Sequence, residues 1–287
     1  MLIPYNFGGF EERYTKYKKS KVVIFPVPYD ATLSYRAGSR NGPSAIISAS
    51  KALEFYDIEL NASPFKVGIH TSSELEPIMS SPADMIEEIE WASKRFISDG
   101  KFLIMLGGEH SISTGVVRNL VKSYKNFSVL QIDAHSDLRY SYEGTKYNHA
   151  CVMRRIRELC PAVQVGIRSM CEEEAAFIRK NKIKIFYSEY IKGHPEYINE
   201  VISHLSENVY ITIDLDGLDP SIMPAVGTPE PGGLLWYDIL RLLREVFKNR
   251  NVVGADVVEL SPLPPDISSD FLAAKLVYKL IGYKYFL

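Results

Sequence analysis

The run SVLQIDAHSD, residues 128–137, is the stretch of sequence that decides the fold. Its apolar first half is typical of a buried strand in a parallel sheet, and it ends in Asp133, His135 and Asp137 at every second position. Because side chains alternate along a strand, these potential metal ligands point to one side of the chain. The run therefore predicts an α/β protein with a metal site at the carboxyl end of its sheet.

Two other apolar runs end in the same way. VYITIDLDGLDP, residues 209–220, ends with Asp214 and Asp216, and KFLIMLGGEHS, residues 101–111, ends with Glu109 and His110. Carboxylates and imidazoles at the ends of buried strands stay charged or unpaired only if something binds them. Three strands that end in such side chains predict one metal centre.

Strand-like and helix-like segments alternate along the whole chain. The apolar runs include KVVIFPV (21–27), FKVGI (65–69), AVQVGI (162–167) and NVVGADVVEL (251–260). Roughly eight such runs predict a doubly wound, mostly parallel sheet with helices on both faces, because parallel crossovers need covering helices. We expect a single domain over residues 1–287, since no low-complexity linker, charge block or repeat divides the chain.

Composition excludes several classes of partner. The chain has 287 residues, 46% of them hydrophobic, and a formal net charge of -2, so we predict neither a nucleic acid nor an anionic membrane as partner. Three cysteines without C-x-x-C spacing disfavour a disulfide framework and a thiolate zinc site, and indicate a reducing cytoplasm. No apolar run approaches the ~18 residues of a membrane span.

The candidate ligands select the metal. They are His110, Asp133, His135, Asp137, Asp214 and Asp216. This hard, oxygen-rich set without sulfur favours Mn²⁺ over a structural zinc. It exceeds what one ion with open positions needs, so we predict two ions about 3.5–4 Å apart. With an activated water counted as hydroxide, the four carboxylates leave the cluster anionic, which predicts metal-assisted hydrolysis of a cationic substrate.

Five ordered segments carry a family resemblance. They are GGEHS (107–111), DAHSD (133–137), DLDGLDP (214–220), GTPEPGG (227–233) and DVVELSP (256–262). They resemble the signature segments of the ureohydrolase family of arginases and agmatinases, and PVPYDATLSYRAGSRNGPSAI resembles that family's N-terminal loop. The resemblance implies a three-layer α/β/α sandwich, two Mn²⁺ per chain, urea as product and a homo-oligomer, either a trimer or a hexamer.

The resemblance also implies roles for single residues. All six candidate ligands match or complete the family's metal-binding set, and Asp137 is expected to hold the proton of the attacking water. Glu259 matches the glutamate that binds the guanidinium group, which a carboxylate can pair bidentately. His149 matches the proton-shuttling histidine, expected to protonate the leaving amine, and Thr228 is expected to add a hydrogen bond near the guanidinium.

The segment DLRYSYEGTKYNHACVMRR, residues 137–155, bears on the substrate. Arg139 stands where arginases have an asparagine, and Ala150 follows His149 where many relatives have glycine, a pattern that resembles bacterial and archaeal agmatinase-like enzymes. At the rim, Arg139 is a further candidate contact, and Glu143 with the tyrosine rings can bind a distal ammonium. We predict that agmatine is hydrolysed to urea and putrescine in polyamine biosynthesis.

Other substrates and classes stay open at this point. The first alternative is aminopropylagmatine, which would give spermidine and urea; arginase, guanidinobutyrase and formiminoglutamase activities are less favoured. A deacetylase-like hydrolase would carry a single zinc and fewer aspartates. A non-catalytic binding subunit would have lost a ligand or Glu259, and none is lost.

Overall fold

The computed structural model describes residues 4–287 and contains one eight-stranded sheet. The strands are β1 (Val22–Val27), β2 (Ile69–Thr71), β3 (Phe102–Gly107), β4 (Phe127–Ile132), β5 (Ala162–Ile167), β6 (Ile185–Tyr187), β7 (Asn208–Asp214) and β8 (Asn251–Val258). Each neighbouring pair is parallel, and the order is β2-β1-β3-β8-β7-β4-β5-β6. The predicted parallel α/β architecture is confirmed.

Helices cover both faces of the sheet. They are α1 (Glu12–Thr15), α2 (Gly42–Ser50), α3 (Pro82–Ser98), α4 (Ser113–Ser123), α5 (Val152–Arg157), α6 (Glu172–Asn181), α7 (Ser188–Gly193), α8 (Tyr197–His204), α9 (Trp236–Asn249) and α10 (Ser268–Phe286). Apolar residues of α3, α4, α5 and α6 form a core on one face, and those of α2, α8, α9 and α10 form a core on the other. This is the α/β/α sandwich that the family resemblance implies.

The helix starts follow the local sequence. The side chain of Ser81 accepts a hydrogen bond from the backbone N–H of Asp84, and Pro82 occupies the first turn of α3. Among residues 4–287, no helix combines the length and apolar character that crossing a bilayer requires.

One predicted strand, FKVGI, is wrong. Pro64–Val67 forms a 3₁₀ helix, and the strand begins only at Ile69, which pairs with Val22. Proline fixes a helical φ at the first turn, and Gly68 then adopts a φ of 83°, which turns the chain into the strand. The apolar residues of FKVGI therefore belong partly to the 3₁₀ helix and partly to the strand.

The crossover between β3 and β4 creates the site. Two strands, β8 and β7, lie between them in the sheet, so the carboxyl ends of these four central strands meet at one edge. Ligands of open α/β sheets bind at the carboxyl ends of strands where the strand order changes direction.

Candidate active site and metal centre

A cavity of ≈300 Å³ opens at the carboxyl ends of the four central strands. Most of the predicted site residues line it, namely His110, His135, Asp137, Arg139, His149, Asp214, Asp216, Thr228 and Glu259. Asp133 is fully buried directly beneath the same cluster. Residues separated by more than a hundred positions in the sequence therefore meet in one pocket.

The ligating atoms form two overlapping groups. His110, Asp133 and Asp137 make one group, and Asp133, His135 and Asp216 make the other, each with its atoms within 4.8 Å of one another. Because Asp133 belongs to both groups, its two oxygens face different partners. Its Oδ2 lies 3.0 Å from Nδ1 of His110, and its Oδ1 lies 3.7 Å from Nδ1 of His135. Two sites that share a carboxylate are the arrangement of a binuclear metal centre.

His110 tests whether these residues fit a metal. Its Nε2 lies 2.8 Å from Oγ1 of Thr212, and that hydroxyl donates to Asp256 at 2.6 Å. Because the Thr212 hydroxyl donates its only hydrogen to Asp256, its oxygen can only accept from His110. Nε2 of His110 must therefore be the protonated nitrogen, and Nδ1 keeps a lone pair. Nδ1 is buried without a hydrogen-bond partner among the described residues, although three carboxylate oxygens lie within 3.2 Å of it. A buried lone pair among carboxylates fits a divalent cation.

The charges of the cluster point the same way. Burial, and then the charges of Asp216 and Asp133, raise the pKa of the Asp214 carboxyl well above its usual value. Burial and the charge of Asp133 raise the pKa of Asp137 to about 7. Burial opposes ionisation of Asp133 as well, but the neighbouring imidazoles of His110 and His135 outweigh it and lower the pKa of this carboxyl. Crowded carboxylates without a counter-charge are unstable as anions, and bound cations relieve that repulsion.

Two site residues have unusual backbone conformations. Asp137 has a φ of 51° and Glu259 a φ of 67°, both in the left-handed region that residues other than glycine rarely adopt. In that conformation the amide of Glu259 donates to the carbonyl oxygen of Gly108 at 2.8 Å, and its Oε1 accepts the backbone N–H of His110 at 2.7 Å. Strain of this kind concentrates at functional sites. Burial, and then the charge of Glu109, raise the pKa of Glu259 well above its usual value.

Glycine at position 108 makes this approach possible. A Cβ atom there would lie 2.0 Å from the carbonyl oxygen of Tyr29. The loop after β3 therefore packs directly against the loop after β1, and only glycine fits between them.

The predicted proton shuttle and the Gly-Thr-Pro turn both line the cavity. His149 begins a short 3₁₀ helix capped by Asn148, and burial lowers the pKa of its imidazole to about 4. Its ring meets the ring of Tyr142 edge-on, with centroids 6.4 Å apart. Oγ1 of Thr228 lies 3.4 Å from Oδ2 of Asp216, beside the metal groups.

The rim residues divide into two kinds. Arg139 lines the cavity, stacks on Tyr142 with its guanidinium carbon 4.2 Å from the ring centroid, and has its Nε 3.9 Å from Oε2 of Glu174. Glu143 is exposed at the tip of the turn between Tyr142 and Thr145 and does not line the cavity. The structure therefore separates Glu143 from the other predicted site residues, because the turn carries its side chain into solvent.

Sequence reasoning missed the residues that hold the ligands in place. Thr212 and Asp256 orient His110, and the Arg168 guanidinium donates to backbone carbonyls of Asp216 and Glu230, both at 2.7 Å. The sequence could have indicated Asp256, since a carboxylate in the middle of an apolar strand needs a partner. It could also have indicated Arg168, which directly follows the apolar run AVQVGI. Nothing in the sequence indicates Thr32, in the loop after β1.

Comparison with known proteins agrees with this geometry. An N(1)-aminopropylagmatine ureohydrolase of Synechocystis sp. is 45% identical over 95% of this chain and 92% of its own length. The agmatinase of Pyrococcus horikoshii is 33% identical over 98% of each chain. The crystal structure of the agmatine ureohydrolase of Thermoplasma volcanium has a TM-score of 0.87 at 40% identity and covers 94% of this chain and 92% of that one.

Residues 20–282 match the arginase family as a whole. The matched range contains all four central strands and every predicted site residue. The chain belongs to the arginase family.

Proposed function

We propose that this protein is a binuclear manganese ureohydrolase that hydrolyses the guanidinium group of a linear, cationic polyamine precursor, agmatine or its N(1)-aminopropyl derivative. The observation that carries the proposal is the position of Glu259. A buried carboxylate, the metal-binding groups and His149 line one cavity. A planar cation held by that carboxylate lies next to the metal centre, as hydrolysis of a guanidinium requires.

Glu259 supplies the site for the guanidinium. Its Oε1 already accepts the N–H of His110, so the carboxylate is fixed in orientation before substrate binds. A fixed carboxylate can pair with two N–H groups of a guanidinium, which sets the plane of the substrate as well as its position. The substrate's positive charge also restores ionisation of Glu259, whose pKa burial raises.

The metal-binding residues divide into two sets, one for each ion. We propose that His110, Asp133, Asp137 and Asp214 hold one Mn²⁺, and that Asp133, His135, Asp214 and Asp216 hold the second. When bound, a pair of divalent ions supplies Lewis-acid activation of the attacking water.

Proton movement falls to Asp137 and His149. Asp137 belongs to the first ligand group, where its carboxylate would hold the proton of the attacking water. His149 is neutral under physiological conditions because burial lowers its pKa, so it can accept a proton during attack and return it to the leaving amine. Thr228 donates its hydroxyl hydrogen to Oδ2 of Asp216 at 3.4 Å, so its oxygen is available to accept an N–H of the guanidinium.

The cavity wall favours a substrate whose far end is cationic. Asp214 and Asp216 are assigned to the metals and Glu259 to the guanidinium, so Glu174 is the remaining carboxylate of the cavity wall, and the two arginines of the wall already have partners in the protein. Arg36 donates to the carbonyl oxygen of Pro262 at 3.1 Å, and Arg139 is stacked on Tyr142. An α-carboxylate at the far end of the substrate would have to displace these contacts, whereas an ammonium would not.

Within the cationic class, the relatives support both substrates. The Synechocystis protein named for aminopropylagmatine has higher identity to this chain than the Pyrococcus protein named for agmatine. We therefore propose the aminopropyl derivative as a second candidate, with spermidine and urea as products.

Urea release from a panel of guanidino compounds tests the proposal. We expect kcat/KM for agmatine and for aminopropylagmatine to exceed the values for arginine and guanidinobutyrate, all measured at one Mn²⁺ concentration. A preference for either carboxylate-bearing compound would contradict it and make Arg139 the carboxylate anchor. Release of no urea from any compound would contradict the ureohydrolase assignment itself.

The setting of the enzyme is also a proposal. We propose that it acts in the cytoplasm as a homo-oligomer, a trimer or a hexamer. Light scattering during size-exclusion chromatography measures the molar mass against 32.5 kDa per chain.

A further inference from the structure

Thr32 connects the loop after β1 to the loop that carries His149. Its backbone N–H donates to Oε2 of Glu109 at 2.5 Å, and its carbonyl oxygen accepts from Nδ2 of Asn148 at 3.2 Å. Its hydroxyl lies 2.6 Å from Oε1 of Glu109, 3.1 Å from the backbone nitrogen of His149 and 3.4 Å from Nδ1 of the same residue. Every polar atom of Thr32 thus contacts either Glu109, in the loop after β3, or the loop that carries His149.

Glu109 is held firmly at the other end of this chain of contacts. It is fully buried, its backbone N–H donates to the carbonyl oxygen of Tyr29 at 2.7 Å, and the hydroxyl of Ser111 donates to Oε1. Oε2 of Glu109 thus accepts the backbone N–H of Thr32, and Oε1 accepts the hydroxyl groups of Thr32 and Ser111. A carboxylate in this setting is a fixed acceptor.

The position of one hydrogen follows from these contacts. The Thr32 hydroxyl has a single hydrogen, and Oε1 of Glu109 at 2.6 Å is a much nearer acceptor than Nδ1 of His149 at 3.4 Å. With that hydrogen on the Glu109 side, the Thr32 oxygen can only accept from His149. Its contact with Nδ1 is then a hydrogen bond only if Nδ1 carries the proton.

We propose that Glu109, acting through the hydroxyl of Thr32, holds His149 in the tautomer protonated at Nδ1, so that Nε2 is the nitrogen that exchanges protons with the substrate. This deepens the proposed ureohydrolase function and rests on it for the role of His149. Thr32 and Glu109 are positioning residues in this relay, since they act through His149. Fixing a tautomer through a buried carboxylate keeps the basic nitrogen available in each turnover.

Thr32→Val tests the relay, because valine keeps the shape of threonine and removes only the hydroxyl. We expect kcat to fall about tenfold or more with KM within about twofold of the wild-type value, since positioned acid-base catalysis contributes about 10²–10⁴-fold. Thr32→Ser keeps the hydroxyl and should restore most of the lost turnover. Equal losses in the valine and serine variants would overturn the proposal.

Thr114→Val is the matched control. Thr114 is 1% exposed on α4, and its hydroxyl lacks a hydrogen-bond partner within residues 4–287. The same chemical change at this buried position should leave kcat unchanged. A loss of kcat in Thr114→Val as large as that in Thr32→Val would overturn the relay, because any buried Thr→Val change would then have the same effect.

The tautomer itself gives a measurement that does not depend on activity. In protein with ¹³C- and ¹⁵N-labelled histidine, loaded with diamagnetic Mg²⁺, the ring shifts of His149 should report protonation at Nδ1. Thr32→Val should move the population toward protonation at Nε2, while Thr114→Val should not. Unchanged shifts in Thr32→Val would overturn the proposal. If the wild type released no urea, the proposed function would fail, and these shifts would still decide the relay.

Discussion

Nε2 of Gln131 lies 2.6 Å from Oδ2 of Asp133, the same oxygen that lies 3.0 Å from Nδ1 of His110. The orientation of the Gln131 amide is fixed in turn, because its Oε1 accepts from Nε2 of Gln164 at 2.5 Å. The side chains of Gln131, Asp133 and Gln164 are fully buried, and that of His110 is 1% exposed. The carboxylate shared by the two metal groups is therefore aimed by a neutral donor from its own strand.

Gln131→Met should weaken metal binding. Methionine fills a similar volume but donates no hydrogen bond, so Asp133 loses the contact that aims it. Contacts of this kind typically change metal affinity by about 10–100-fold. Mn²⁺ titration of chelator-treated protein measures the change. Wild-type affinity in a folded Gln131→Met variant would contradict the role we assign to this amide.

Chelation should abolish activity, and Mn²⁺ should restore it better than Mg²⁺. The ligand groups include His110 and His135, and imidazole suits Mn²⁺ better than it suits Mg²⁺. Asp214→Ala should remove activity even with excess Mn²⁺, since its Oδ2 lies 3.2 Å from Nδ1 of His110 at the centre of the cluster. Full turnover by protein that elemental analysis shows to be metal-free would refute the binuclear centre.

Glu259→Gln should separate substrate binding from metal binding. Glutamine keeps the shape of glutamate but removes the charge that faces the guanidinium, so we expect kcat/KM to fall by about tenfold or more. Metal content should not change, because Glu259 lies outside both ligand groups. Glu143→Gln is the matched control, since this carboxylate is exposed outside the cavity and its loss should leave kcat/KM unaffected. A metal-depleted Glu259→Gln protein would mean that Glu259 is itself a ligand.

Metal-free protein should lose stability as pH rises from about 4 to about 7. Burial raises the pKa values of Asp137 and Glu109 to about 7 in the folded protein, whereas unfolded carboxyls titrate near about 4. The folded state binds more protons on these two carboxyls across the window, whereas His149, with a folded pKa of about 4, binds fewer. Two carboxyls outweigh one imidazole, so the free energy of unfolding falls with pH. The raised pKa of His110 extends the loss above neutral pH, and the lowered pKa of Asp133 acts only below the window.

Thermal unfolding with chelator and with Mn²⁺ checks this dependence. We expect the Tm with chelator to be lower at pH 8 than at pH 5.5, and the increase in Tm caused by Mn²⁺ to be larger at pH 8, because ligands must be deprotonated to bind. A chelated Tm that rose between these two pH values would show that other groups dominate the linkage.

The ligands at the centre of the site could be predicted from the sequence because each one directly follows an apolar strand. Asp133, Asp214 and Glu259 each end an apolar run, and parallel strands bring such ends to one edge of a sheet. The carboxylate count then follows from the residues alone. No long-range geometry was needed to see that His110 and Asp133 belong together.

The parts that sequence reasoning missed depend on contacts between distant loops. Thr32 lies in a polar, Gly- and Pro-rich loop, and nothing near it predicts that its hydroxyl meets Glu109, 77 residues away. Glu143 shows the converse, since its position beside two tyrosines predicted a rim contact, whereas a turn with a φ of 47° directs it into solvent. In FKVGI the apolar pattern was correct, but Pro64 and Gly68 set the backbone.

The strand order has a consequence for synthesis on the ribosome. The last strand to be made, β8, lies at the middle of the sheet, between β3 and β7. Until β8 emerges, nothing joins the group of β1, β2 and β3 to the group of β4, β5, β6 and β7. Each group then presents an unpaired strand edge. A nascent chain can carry His110 after β3, and Asp133 and Asp214 at the ends of the paired strands β4 and β7, and still lack the strand that joins the first to the other two. Closure of the sheet, arrival of Glu259 and assembly of the metal centre therefore become one late event.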